Sequence, residues 1–131
     1  MNEEKRRSFF IEEVERKLTS LEDTLQPDEK FAYTQRFNDV EADVAAYNEK
    51  FGFDEYETNV CRFMRKAYNM KVILQKCYLF SSERFHTAVR LDGVLVVREI
   101  HDVHELFEEL RKEFENILDW KIKSRFVQTI H

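Results

Sequence analysis

Apolar side chains return along this chain at alternating steps of four and three residues, and that rhythm restricts the fold more than anything else in it. Phe10, Val14, Leu18, Leu21 and Leu25 fall on one face of a helix running from about Glu3 to Leu25, because a helical turn takes roughly 3.6 residues. Tyr33, Phe37, Val40, Val44, Tyr47 and Phe51 repeat the pattern and predict a second helix from about Pro27 to Phe51. Tyr56, Val60, Phe63, Ala67, Met70, Leu74 and Cys77 carry it through a third, opening at Asp54 and reaching about Leu79. Such spacing is the seam of helices that cross at a shallow angle, so the three rods are expected to pack antiparallel. A competing reading ends the third helix near Asn69 and makes residues 71–80 a strand, since Val72, Ile73 and Tyr78 suit a pleated surface.

The punctuation agrees with these boundaries. Pro27 fits the first position of a helix, where its missing N–H is not needed, and Asp28 and Glu29 follow at the positive end of the helix dipole. Gly52 is free to take the left-handed conformation that stops a helix, with Phe53 placed to fold back onto Tyr47. Asp54 and Glu57 have the spacing of a capping box. The chain has only two glycines and one proline in 131 residues, so few breakers interrupt long helices.

One segment reads differently. In "HTAVRLDGVLVVREI", Asp92-Gly93 separates two β-rich runs and predicts a two-residue β-hairpin over about residues 85–100. A lone hairpin is barely stable in water, so it must lie on the helices. Val103, Phe107, Leu110, Phe114 and Ile117 then define a C-terminal helix, with Asp102 and Glu105 spaced as its cap. The tail "WKIKSRFVQTI" fits a final edge strand guarded by lysines, or equally a helix. The expected fold is therefore a predominantly helical α+β domain spanning residues 1–131: three long helices, a hairpin and a covering helix.

The pair His101 and His104, each followed by an acid, invites a metal or catalytic reading. Zinc needs at least three protein ligands, and His86 and His131 carry no motif that joins them to this pair. The start of a helix is the simpler account. Cys61 and Cys77 have no C-x-x-C spacing and sit among apolar neighbours, which reads as reduced core thiols in a cytoplasmic protein. No secretory pattern and no run of about 18 apolar residues occurs, so neither export nor a membrane span is expected. The glycines are both used by a stop and a turn, leaving none for a phosphate-binding loop or a nucleophile elbow. No enzymatic activity and no cofactor are expected.

Charge is segregated. Residues 1–60 carry a net −8, residues 61–98 a net +6, residues 99–119 a net −6, and residues 120–131 a net +3. The basic block places Asn59, Arg62, Lys66 and Asn69 on one face of the third helix, with Arg65 beside them. Arg and Asn read base edges and Lys holds phosphate, so this face suits nucleic acid, in a winged-helix-like setting if the hairpin acts as the wing. The acidic segments would repel DNA, and the same face suits an acidic helix of the chain itself. The leading expectation is a protein–protein interaction module, a regulator, inhibitor or adaptor of the kind bacteria and phages use as accessory factors. Its long aromatic seams also suggest a homodimer. A small-molecule sensor with an aromatic pocket between helices is the third reading.

Overall fold

The computed structural model describes the backbone of residues 2–80 and 93–130, with side chains over 2–75 and 99–124. Helix α1 spans Glu3–Asp23, α2 Pro27–Gln35, α3 Phe37–Phe51, α4 Glu55–Phe80 and α5 Gly93–Ile130. Each start has a local cause. The Asn2 side chain accepts from the Lys5 N–H at 2.8 Å. Pro27 occupies the first turn of α2, and Glu29 accepts from the Gln26 N–H at 2.8 Å. At α4 the capping box closes reciprocally: the Asp54 N–H donates to Glu57 at 3.0 Å and the Glu57 N–H to Asp54 at 2.8 Å. Gly52 ends α3 at φ 64° and ψ 54°, where a side chain would be strained. Phe53 stacks on Tyr47 with ring centroids 6.3 Å apart.

Helix α4 is the axis of the structure. Val60, Cys61, Met64, Ala67, Met70, Ile73 and Leu74 are all buried, which covers most of its circumference. Helix α5 runs antiparallel to it: Glu57 meets Lys121, Tyr56 meets Glu113, Tyr68 meets Phe107 and Lys71 meets His104. Helix α3 is also antiparallel to α4, with Thr58 against Asn48, Arg62 against Glu41 and Lys66 against Phe37. Helix α1 contributes Val14 and Leu18 to the same core and reaches α5 through Arg6–Glu113 and Lys17–Glu109. The α5 face Val103, Leu106, Leu110, Phe114 and Ile117 closes the interior.

The α+β expectation is corrected: no strand occurs among the described residues. Residues 93–100, expected as the returning strand of the hairpin, form the first turns of α5. Residues 85–92, the other strand and most of the turn, lie outside the described residues. The reason is tertiary. Ile100 and Val103 keep the helical spacing of the α5 face at this end, Val103 is buried, and Ile100 packs against the core. β-branched residues favour strands by only about 1 kcal/mol across the whole scale, so a helical face that packs overrides them. The proposed edge strand at 120–130 is helical as well, and the strand alternative for 71–80 falls, since α4 continues to Phe80.

Two further differences concern helix ends. The expected helix over 27–51 is two helices, divided at Arg36 with φ −83° and ψ 0°. Here the Arg36 N–H donates to the Tyr33 carbonyl, one residue short of the α pattern. No proline or glycine marks the break. It turns Phe37 towards solvent while Tyr33 and Val40 stay with the core. Asp102 is not a cap, because α5 begins nine residues earlier at Gly93. The histidine cluster is thus helix interior: His101 faces Glu105 at 3.8 Å on the exposed side, and His104 Nδ1 lies 2.8 Å from Lys71 Nζ.

Candidate functional site

The basic residues singled out on α4 do not project freely. Arg62 grips Glu41 of α3 through two nitrogens, at 2.8 and 3.3 Å, and donates to Asn59 Oδ1 at 2.8 Å. Arg65 pairs with Asp43 of α3, and its guanidinium stands 5.8 Å from the Tyr68 ring centroid. Lys66 sits 5.0 Å above the ring of Phe37. Asn59, Arg62, Arg65 and Lys66 therefore gather along the α3–α4 seam, while Asn69, at 9% exposure, turns into the interior. The arrangement arises because Glu41 and Asp43 are two apart on α3, flanking the stripe that buries Val40 and Val44.

The sequence reading missed the aromatic members of this face. Phe37 and Tyr68 remain 43% and 42% exposed. Phe37 belongs to the expected seam and is released from it by the break at Arg36. Tyr68 lies between seam positions Ala67 and Met70, off the buried stripe of α4, one helical turn beyond Arg65, and its ring also meets Phe107 of α5. Each ring stands beside a cation, Phe37 under Lys66 and Tyr68 next to Arg65, and the two arginines are already compensated by carboxylates.

A second feature lies where α1, the start of α4 and α5 meet. A cleft of about 320 Å³ is lined by Arg6, Arg7, Asp54, Glu113, Trp120 and Lys121, among others. Glu113 accepts from the Tyr56 hydroxyl at 2.8 Å and from Arg6 at 3.3 Å. Lys121 donates to Glu57 at 3.2 Å and to the Gly52 carbonyl at 3.3 Å. Arg7 lies 4.7 Å above the Tyr56 ring and 3.7 Å from Asp54. Glu3 bridges the two arginines, at 2.7 Å from Arg6 and 3.3 Å from Arg7. The Arg6 hydrogen bond is the main cause that holds the Glu3 carboxyl down at about 2. Burial, reinforced by the hydrogen bond to Glu113, pushes the Tyr56 phenol well above the usual tyrosine range.

Cys61 is fully buried, and burial raises its thiol to about 11. A thiol this far from its thiolate is a poor nucleophile at neutral pH. Among the described residues no group of three or more His, Cys, Asp or Glu side chains could hold a metal ion, and no helix is long and apolar enough to cross a membrane. Comparison with protein-family models, with curated proteins and with solved structures found no match to this chain.

Proposed function

We propose that the protein is a non-enzymatic interaction module that binds a protein partner through the α3–α4 face, as a regulator, inhibitor or adaptor. The supporting observation is the pairing of two half-exposed rings, Phe37 and Tyr68, with cations whose charge is locally balanced by Glu41 and Asp43. Aromatic rings and arginine are the groups that protein interfaces enrich, and a charge-balanced surface desolvates at lower cost than a bare basic one. Phosphate approaching Arg62 or Arg65 would have to displace carboxylates and would meet their repulsion, which weighs against the nucleic-acid alternative. The reading takes the protein as cytoplasmic, in keeping with a free buried thiol.

The test is a comparison of partners retained by the wild type and by Phe37→Ala with Tyr68→Ala. A partner bound through this face loses about 10-fold or more in affinity when two ring anchors are truncated, with the helical dichroism unchanged. Sedimentation decides whether the partner is a second copy of the 16.0 kDa chain. The reading fails if the double variant keeps full affinity. It also fails if the protein instead shifts duplex DNA or RNA with a steep salt dependence that Arg62→Ala and Lys66→Ala abolish.

A further inference from the structure

Arg6 and Arg7 are anchored from below and open above. Arg6 is held by Glu113, which is itself fixed by the Tyr56 hydroxyl. Arg7 lies over the Tyr56 ring, with Asp54 at 3.7 Å. Both guanidinium groups also donate to a single carboxylate: Glu3 accepts two hydrogen bonds from Arg6 and one from Arg7. The other charged groups of the cleft are engaged elsewhere. Glu57 serves the α4 cap and Lys121, and Lys121 also holds the Gly52 carbonyl. Glu3, by contrast, is 62% exposed in its side chain and stands in the first turn of α1, where nothing but its two arginines holds it. Trp120, at 61% exposure, lines the same cleft, with the Lys121 ammonium 5.4 Å from its ring centroid and much of the ring still open to solvent.

We infer that the Arg6–Arg7 pair is a carboxylate clamp for an acidic segment of a partner protein, with Glu3 as its resident, displaceable occupant and Trp120 as the apolar wall beside it. A ligand carboxylate that replaces Glu3 exchanges like for like. It finds two guanidinium groups already oriented, so little conformational freedom remains to be lost. An apolar side chain next to that carboxylate gains the Trp120 face. Asp54 and Glu113 keep the clamp from becoming a general anion trap, because phosphate concentrates its charge in one group beside two fixed carboxylates, whereas an acidic peptide presents one carboxylate at a time to the arginines. This contact is separate from the α3–α4 face, so its failure leaves that reading intact.

Trp120 is the only tryptophan in the chain, so its emission reports on this cleft alone. The probe is the peptide acetyl-Leu-Glu-Glu-Leu-amide, titrated to about 10 mM into the full chain, with the Gln-Gln peptide and inorganic phosphate as separate arms. The expected result is a saturable change with the Glu peptide, about fivefold tighter in Glu3→Gln and about fivefold weaker in Arg6→Gln and Arg7→Gln. The gain in Glu3→Gln cannot come from a folding defect, which keeps the two directions diagnostic. The inference is overturned if Glu3→Gln shows no saturable response or fails to bind more tightly. An equal response to the Gln-Gln peptide overturns it, and so does phosphate binding as tightly as the Glu peptide.

Discussion

The hydroxyl of Tyr56 donates to Glu113 at 2.8 Å across the α4–α5 interface, between residues 57 apart in the chain. Glu113 also receives Arg6, so one carboxylate ties α1, α4 and α5 together. Replacing Tyr56 by Phe keeps the ring under Arg7 and removes only this bond. The expected loss is about 1.5–3 kcal/mol, the range for a hydrogen bond to a charged group, and it falls towards the lower end because Glu113 keeps Arg6. The shift in urea midpoint with unchanged slope measures it.

Tyr33 and Tyr56 should make the fold sensitive to alkali. Burial and their carboxylate partners, Glu22 and Glu113, raise both phenols in the folded state. A phenol of the unfolded chain ionises near ~10, so above that pH the unfolded state has fewer protons than the folded one. The stabilisation is therefore complete below pH ~10 and is lost as pH rises beyond it. Absorbance near 295 nm should show these two phenols ionising later than a free tyrosine, together with loss of helix. Tyr56→Phe should soften that alkaline transition.

Cys61 should resist thiol reagents until the protein opens. Its side chain is fully buried and its thiol is raised to about 11. Alkylation by iodoacetamide at pH ~8, followed by mass spectrometry of the Cys61 peptide, should show slow labelling in native buffer and rapid labelling in urea. Rapid native labelling would mean that the α4 core opens far more often than its packing implies.

Gly52→Ala isolates a backbone effect. The residue sits at φ 64°, and an added Cβ would meet nothing within 4 Å. The cost is then conformational alone, about 1–2 kcal/mol. Gly52→Asn should cost less, because Asn tolerates the left-handed region. Equal losses in the two variants would point to a steric cause instead.

What could be read in advance follows the range of the forces involved. The Asp54–Glu57 box, Pro27 at a helix start and the Gly52 stop are settled within a few residues, and all three stand in the structure. The buried stripe Val14, Leu18, Val60, Ala67, Met70, Leu74, Val103 and Leu110 follows from spacing alone. The errors lie where two local codes compete. Residues 93–100 hold both a β-branched run and a helical period, and nothing nearby ranks them. The break at Arg36 has no breaker residue, so no local signal announces it. On the candidate face the sequence supplied the cations. Their acidic partners Glu41 and Asp43, and the ring of Phe37, joined them only through contacts of α4 with α3, whereas Tyr68 stands one turn from Arg65 on α4 itself and its place there was open to helical spacing.

The amino-acid sequence by itself determined which side of each helix is oily and where several helices start and stop, because periodicity and capping act over one or two turns. Tertiary packing decided that residues 93–100 are helix, that α2 and α3 separate, and that Arg62 and Arg65 face carboxylates rather than open water. Those outcomes depend on pairing residues far apart in the chain, and the free energy that selects among local conformations differing by about 1 kcal/mol comes from the surfaces such pairs bury.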